Sequence, residues 1–492
     1  RRNVRRSIAA KITTLNIPRE AIELRAKSRA RDDRSDYASV QAGEVTSSRK
    51  KKALVLFGSA LLQLPIWGEY SFEPATLTTS CFVAGFAMSY GIFQEYYLTH
   101  QTLSGNYDLT GIIGMTSNGV MYLSMPLLFA LFTKRWAKFR QTAMLSGTIL
   151  ACLSFLLSSF STQVWHLVAT QGVLACFGSA LVFSPMTLSL GEWYKTDHRA
   201  LAYGVTLSCK NIVGSVCPFL FSSLSGRYKF SSTVRIWALI IAGTSLFTIF
   251  LIPTHPSALP AAVSDLTEGA NEGGDAGPPR SRKIPWPSLR HGTIYIYSIA
   301  IILQSAAYGI PQTYLNTYAS EVALLSHTSA IILLTLFNIP GIASFSFFGY
   351  LSDNKHSTFS ATTVACISAM SSGLSAILLW GLNTQGSLAT LILFSITFGF
   401  FAGGYSATRS NEAIDSGMVY GVLNGARGVG YIVGGLIGVP LLQAGTEKYV
   451  QLVKGDFGVQ SSYGPLIMFT GVASCFGGCS VLLNMKHLRV RR

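Results

Sequence analysis

The chain has 492 residues, of which 49% are hydrophobic and only 12% are charged, and its net charge is +16. A soluble domain carries charges on about a quarter of its residues, so this composition excludes an ordinary soluble protein and indicates a chain that lies in a lipid bilayer. Apolar stretches long enough to cross a hydrocarbon core of roughly 30 Å recur throughout. They predict twelve membrane-spanning helices, numbered here as spans 1 to 12: 53–97, 109–132, 142–160, 164–191, 200–224, 235–253, 292–318, 328–351, 360–380, 387–406, 417–442 and 463–484.

Polar segments divide these spans into two groups of six. Residues 1–52 predict a disordered basic cytoplasmic arm, and residues 254–290, rich in Pro, Gly and Ala, predict a flexible cytoplasmic linker. Six-helix bundles are predicted over 53–253 and 291–485, followed by a cytoplasmic tail over 486–492. Of the 38 Lys and Arg residues, 31 fall on the side of the bilayer that holds the arm, the linker and the tail. The positive-inside rule makes this side cytoplasmic, with both termini on it.

Two short patterns recur in both halves at nearly the same offset. YGIFQEY at 90–96 in span 1 matches YGIPQTY at 308–314 in span 7, and YGV at 203–205 in span 5 matches YGV at 420–422 in span 11. These matches predict an all-α membrane protein whose twelve transmembrane helices form two parallel six-helix repeats. In transporters built from such repeats, the substrate binds between the copies near the middle of the bilayer.

Span 1 is interrupted by the polar segment EYSFEPATLTTSCFVAG, residues 69–85. Deleting these seventeen residues yields ALVLFGSALLQLPIWGFAMSYGIFQEYY, which matches span 7 in length and pattern. The ends of the segment can be encoded as splice sites, and seventeen whole codons preserve the reading frame. We therefore hypothesise that 69–85 is a retained short intron, with a genuine extracellular or re-entrant loop as the alternative.

Two cations lie inside predicted spans. Lys210 in span 5 lies eleven residues after Arg199, which is about 16 Å into the bilayer, and Arg427 in span 11 lies twelve residues after Asp415. A cation at this depth is costly and indicates a functional site. We predict that both face a central cavity and bind an anion, Arg427 by a two-pronged hydrogen bond and Lys210 as a point charge. The alternatives are structural pairing with polar neighbours and a place in a gate.

Aromatic and amide side chains complete the predicted substrate site. These are Tyr90 and Gln94 in span 1, Tyr308 and Gln312 in span 7, and Asn424 in span 11. For the tyrosines, anchoring at the membrane interface is the alternative. The sequence predicts no metal site and no cofactor.

The segments LLQLPIWG, FAMSYGIFQEYY, GEWYKTDHRALAYGV and LNGARGVG, within a layout of six plus six spans over 53–485, resemble the major facilitator superfamily and its fungal monocarboxylate-transporter-like branch. The resemblance implies a proton-linked carrier of small carboxylates, and riboflavin carriers belong to the same branch. No Asp or Glu lies at mid-depth in any span, span 8 lacks Asp and Arg, and span 1 lacks the lysine of better-known members. Either the substrate itself carries the proton or the protein is a facilitator.

The stretch GYLSDNK after span 8 resembles the superfamily's cytoplasmic loop motif, which implies a gating role for Gly349, Asp353 and Lys355. Asp353 as an ordinary loop carboxylate is the alternative. The corresponding stretch after span 2, FTKRWAKFRQ, keeps the basic residues but lacks the Asp.

Together these features predict a non-enzymatic secondary transporter that moves a small organic solute, a monocarboxylate-type anion, by alternating access. The alternatives are a facilitator for riboflavin or another neutral solute and a non-transporting membrane sensor on the same scaffold. The expected partners are the small-molecule substrate, the lipid bilayer and protons, with no nucleic acid. The plasma membrane is the expected location, with the vacuolar membrane as the alternative.

Overall fold

A computed structural model gives the architecture of the chain. The structure describes residues 50–63, 90–99, 104, 109–133, 136–194, 199–228, 230–252, 292–353, 361–382, 387–408, 417–452 and 462–490. The chain forms two compact units, Arg1–Leu54 and Val55–Arg492. All contacts described below lie within the second unit.

Each predicted span contains helix. Span 1 is represented by the helices 50–63 and Tyr90–Thr99. The other spans are Thr110–Thr133, Arg140–Ser158, Val164–Trp193, Arg199–Arg227, Phe230–Leu251, Gly292–Glu321, His327–Asp353, Ala361–Ser375 with a π-helical extension Ala376–Gly381, Leu388–Thr408, Gly417–Leu452 and Gly464–Val490. Within the described residues, ten helices are long and apolar enough to cross a membrane, and Gly464–Cys479 in span 12 is a shorter apolar stretch. The predicted all-α membrane fold is confirmed.

The spans are helical because a bilayer offers no water to bind backbone amides and carbonyls, so these groups must pair within each segment. Hydroxyl side chains follow the same rule, as when Thr148 donates to the Met144 carbonyl oxygen and Ser215 to the Asn211 carbonyl oxygen. Proline, which removes a backbone donor, is tolerated inside such helices. It lies inside six described spans, at Pro126, Pro185, Pro218, Pro311, Pro340 and Pro440.

Among the described residues, the two halves meet most extensively along three pairs of helices. Span 5 packs along span 8, span 2 along span 11, and Tyr90–Thr99 of span 1 against span 7. We call the membrane side where Leu251 ends span 6 and Gly292 begins span 7 the linker side, and the opposite side, where Glu321 and His327 lie, the far side.

On the linker side, an ion pair joins spans 3 and 4 in the first half. Arg140 Nη1 lies 2.7 Å from Glu192 Oε2, and Arg140 Nη2 donates to Glu192 Oε1 at 2.9 Å. The same guanidinium donates to the Phe132 carbonyl oxygen at the end of span 2, at 3.1 Å from Nε and 3.0 Å from Nη2. The stretch after span 2, FTKRWAKFRQ, lacks the Asp of the superfamily's cytoplasmic loop motif. Its Arg140 nevertheless joins the linker-side ends of spans 2, 3 and 4.

Several sequence predictions concern segments that the structure does not describe. The arm before residue 50, the 69–85 insert, the linker 254–290 and the last two residues of the tail lie outside the described residues. The domain boundaries therefore stay predictions.

Candidate functional site

Equivalent residues of the two repeats meet at the interface between the halves. The rings of Tyr203 in span 5 and Tyr420 in span 11 lie 5.6 Å apart, centroid to centroid. Residues that are equivalent in two copies can touch only where they lie near the axis that relates the copies. Lys210 and Arg427 follow these tyrosines by seven residues, or about two helical turns, on the same helix faces.

A small cavity lies between the halves beside Tyr420. Its volume is about 20 Å³, comparable to the space that one water molecule requires. The lining comes from spans 2, 4 and 5 of the first half and spans 7 and 11 of the second: Tyr122, Phe183, Leu207, Ile301, Tyr420, Leu423, Asn424 and Arg427. Apart from the tyrosine hydroxyls, one amide and one guanidinium, this lining is apolar.

Arg427 is half-buried and surrounded by tyrosines. Its Cζ lies 5.4 Å from the centre of the Tyr122 ring, a distance at which a cation interacts favourably with an aromatic face. Tyr122 in turn stacks on Tyr431, with centroids 5.9 Å apart and planes within 6° of parallel. Tyr308 and Tyr420 also lie close enough to interact with the Arg427 charge. Tyrosine is neutral at physiological pH, so the rings around Arg427 leave the guanidinium charge uncompensated.

No carboxylate among the described residues forms an ion pair with Arg427. A half-buried cation that keeps its charge attracts an anion, and arginine can bind a carboxylate through two parallel hydrogen bonds. Asn424 lies one helical turn before Arg427 along the lining, and its Nδ2 donates to the Tyr420 carbonyl oxygen at 2.8 Å. The arrangement can bind an anion by charge and hydrogen bonding.

Lys210 is buried, with only 4% of the residue exposed. Its Nζ lies 5.2 Å from the centre of the Phe345 ring in span 8, so the ammonium is close to the interface between the halves. Leu207, one turn earlier in span 5, lines the cavity. Lys210 therefore lies next to the cavity, beyond the residues that line it.

Spans 5 and 8 are joined by hydrogen bonds along their length. Ser208 donates to the Ile342 carbonyl oxygen at 2.9 Å, and Thr335 donates to the Ser215 carbonyl oxygen at 3.0 Å. At the far side, the Ser222 hydroxyl lies 3.2 Å from His327 Nε2. This interface is closed on both sides of Lys210.

Spans 2 and 11 approach each other through glycines. A Cβ atom added at Gly428 would lie 2.6 Å from the Gly119 carbonyl oxygen, and one added at Gly425 would lie 2.6 Å from Pro126 Cγ. Both distances are too short for any side chain, so only glycine permits this approach. The second interface is closed beside Arg427 as well.

The predicted residues on spans 1 and 7 occupy different surroundings. Tyr308 lies near Arg427, as described above. Tyr90 is buried against Gly114 of span 2, and its hydroxyl donates to the Thr110 carbonyl oxygen. Gln94 and Gln312 are buried, with 5% and 2% of each residue exposed, and neither is among the residues that line the cavity. The structure thus brings Arg427, Asn424, Tyr308 and Lys210 together and places Tyr90 in helix packing.

Two of the three predicted gating residues, Gly349 and Asp353, lie at the linker-side end of span 8. Gly349 is buried within the helix, and Asp353 is its last residue. Lys355 lies outside the described residues, so the gating role stays a prediction.

Most of the apolar residues that line the cavity were not predicted from the sequence. Tyr420 appears in the repeated YGV pattern, which marks it as a candidate. Tyr122, Phe183 and Ile301 lie in apolar stretches where no charge or repeat distinguishes them from residues that face lipid.

Comparison with known proteins identifies the family. A family model described as the Major Facilitator Superfamily matches residues 75–435, more than half of the chain. An MFS-type transporter of Gibberella moniliformis is 26% identical over 369 residues, which are 74% of this chain and 82% of the relative.

Animal relatives are similar over comparable lengths. Monocarboxylate transporter 13 of Rattus norvegicus is 26% identical over 421 residues, which are 83% of this chain and 86% of the relative. Monocarboxylate transporter 12 of Xenopus laevis is 25% identical over 368 residues, which are 71% of this chain and 74% of the relative. These relatives confirm the resemblance to a monocarboxylate-transporter-like branch. The chain belongs to the major facilitator superfamily, and it is an integral multi-pass membrane protein that transports a small solute rather than an enzyme.

Proposed function

We propose that the protein is a secondary transporter of a small organic anion, with Arg427 as the principal binding group. The observation that carries this proposal is a guanidinium beside the axis between the halves, in a cavity lined by both, without a carboxylate partner among the described residues. A carboxylate would supply the missing negative charge. The rat and frog relatives carry the name monocarboxylate transporter, which agrees with this substrate class.

The size of the cavity supports alternating access as the transport mechanism. A space of about 20 Å³ cannot hold a carboxylate of even two carbons, since it is about the size of one water molecule. The substrate can enter only when spans 5 and 8, or spans 2 and 11, separate on one side of Arg427. In this proposal Lys210 becomes a second cationic contact when the Phe345 side of the interface opens.

The remaining predicted residues have subsidiary roles in the proposal. Asn424 and Tyr308 contact the bound anion, and Tyr90, Gln94 and Gln312 contribute only in an open conformation. Gly349, Asp353 and Lys355 act at the linker side, which we propose to be cytoplasmic. The plasma membrane remains the proposed location.

The test is uptake of labelled pyruvate, lactate and riboflavin into proteoliposomes, with and without an inward proton gradient. We expect pyruvate or lactate to enter and Arg427→Ala to reduce this uptake by about thirtyfold or more, which corresponds to the loss of about 2 kcal/mol or more on removing one partner of a hydrogen-bonded charge pair. Arg235→Ala is the matched control. The Cζ atom of Arg235 lies 5.0 Å from the centre of the Phe160 ring, so the Arg235→Ala variant also removes an arginine–aromatic contact, on span 6 and away from the cavity.

Each other outcome contradicts a stated part of the proposal. Normal anion uptake by folded Arg427→Ala protein would exclude Arg427 as the binding group. Riboflavin uptake that survives in Arg427→Ala, without anion uptake in the unsubstituted protein, would favour a neutral-solute facilitator. Anion binding without any flux would favour a sensor.

A further inference from the structure

We infer that the preferred substrate is an amphipathic monoanion with a flat aromatic body, such as an arylalkyl carboxylate, rather than a short hydroxy or keto acid. The inference rests on the proposed function, because it assumes that Arg427 binds the carboxylate. It adds a substrate class to that site.

The chemistry of the cavity lining favours a solute of this class. Of the eight lining residues, three are aromatic, Tyr122, Phe183 and Tyr420, and three are aliphatic, Leu207, Ile301 and Leu423. The remaining two, Asn424 and Arg427, occupy neighbouring turns of span 11. The charged and amide groups of the lining are therefore concentrated on one face of span 11, while the other helices, apart from the Tyr122 hydroxyl, present apolar surface. Such a site matches a solute with one anionic end and one apolar end.

Two of the aromatic walls are held in place by neighbouring rings. Tyr122 stacks parallel to Tyr431, and Tyr420 packs between Tyr203, at 5.6 Å, and Phe129, at 6.0 Å, centroid to centroid. Rings that are fixed by neighbouring rings lose little conformational freedom when a ligand binds. Aromatic rings also prefer stacked or edge-to-face neighbours, which a planar ligand ring provides and an alkyl chain does not.

A short acid gains little from these walls. Lactate and pyruvate place a hydroxyl or a keto oxygen beside the carboxylate, this head group loses water on entering an apolar site, and a single methyl group is the only apolar surface that they bury in return. The Asn424 amide and the tyrosine hydroxyls can at best replace the hydrogen bonds that this water made. A phenyl ring, by contrast, is transferred from water to apolar surface when the halves close around it, and this burial favours binding.

The experiment compares pyruvate, phenylpyruvate and 3-cyclohexylpyruvate, which share one head group and differ only in the body. Their dissociation constants are measured by calorimetry on the purified full chain, and their uptake rates in proteoliposomes. We expect phenylpyruvate to bind at least about tenfold more tightly than pyruvate. The free energy gained by burying a phenyl ring exceeds the free energy that corresponds to a tenfold change in dissociation constant. We expect it to bind more tightly than the cyclohexyl analogue as well.

Variants test the contributions of the aromatic lining and of Arg427 separately. Tyr420→Leu should lower the preference for phenylpyruvate over its cyclohexyl analogue, and Tyr420→Phe should keep it. Tyr295→Leu, at a lipid-exposed position in span 7, is the control that leaves the preference unchanged. Arg427→Ala should weaken the binding of all three acids by similar factors, because they share the carboxylate.

Pyruvate that binds as tightly as phenylpyruvate, with uptake that still depends on Arg427, would overturn the inference and leave the proposed function standing. Absence of binding and uptake for all three acids would contradict the proposed function itself. Equal affinities for the phenyl and cyclohexyl compounds would overturn the aromatic preference.

Discussion

Asn338 of span 8 donates a hydrogen bond from Nδ2 to the Gly214 carbonyl oxygen of span 5 at 3.2 Å, and this bond crosses the interface between the halves. The same amide donates to the Leu334 carbonyl oxygen of its own helix at 2.9 Å. Side-chain hydrogen bonds thus join the halves at spans 5 and 8, whereas spans 2 and 11 approach through glycine backbone. A carrier that alternates between conformations must break the hydrogen bonds between spans 5 and 8 on one side and separate spans 2 and 11 on the other.

Asn338→Ala should favour open conformations. Hydrogen bonds between membrane helices contribute about 0.6 kcal/mol on average, so we expect the population of open protein to rise about threefold. The measurement is the rate at which a membrane-impermeant maleimide labels a cysteine placed at Leu423, in protein without native cysteines. Thr397→Ala is the control, because this hydroxyl bonds within its own helix. An unchanged labelling rate would show that this bond does not hold the interface closed.

Gly428→Ala should impair both transport and stability. A Cβ atom there would lie 2.6 Å from the Gly119 carbonyl oxygen, so spans 2 and 11 would have to move apart. Overpacking of this kind costs about 1–3 kcal/mol. Gly243→Ala is the matched control, since nothing lies within 4 Å of its added Cβ. Uptake and melting temperature are the readouts, and equal behaviour of the two variants would argue against a tight interface at Gly428.

Arg140 and Glu192 should show strong energetic coupling. The Arg140 and Glu192 side chains are 3% and 15% exposed, so removal of one partner leaves a largely buried charge. We expect Arg140→Met or Glu192→Gln to cost about 3 kcal/mol of unfolding free energy, and the double variant to cost less than the sum. Unfolding in mixed micelles gives all four values. Additive effects would mean that the pair does not hold the helix ends together.

Lys210→Gln should weaken anion transport less than Arg427→Ala does. Lys210 lies beside the cavity without lining it, so its charge acts on the bound anion from a longer distance. We expect the KM for the anion to rise about tenfold with kcat and melting temperature little changed, and Lys210→Arg to restore part of the loss. A KM that does not change would assign Lys210 to structure alone.

A chain that lacks residues 69–85 should fold and transport. Removal of the segment joins 53–68 to 86–97 in one continuous apolar span that matches span 7. Sequencing of the transcript tests the retained-intron hypothesis directly, and a mature transcript that contains the segment would end it. Uptake by the shortened protein is the second measurement, and loss of insertion into the membrane would favour a genuine loop.

Several features followed from the sequence because they depend on average properties. Spanning length and scarcity of charge predicted membrane helices, and the repeated YGV patterns predicted two parallel copies. The same repeat predicted that Lys210 and Arg427 lie at equivalent depths, and in the structure Lys210 lies beside Phe345 of the other half while Arg427 lines the cavity between the halves. Tyr90 matches Tyr308 in the repeat, yet it packs against span 2 while Tyr308 lies near Arg427.

The sequence by itself determined that this protein is a helical membrane protein of the major facilitator superfamily, because hydropathy, repeat and family motifs act over long stretches of chain. Only the tertiary structure decided which side chains meet at the centre. A soluble helix shows its buried face through an apolar stripe, but lipid and protein interior are equally apolar, so a membrane helix has no such stripe. The positions of Tyr122, Phe183, Leu207 and Ile301 around Arg427 depend on the rotation of five helices about their own axes, which packing alone sets.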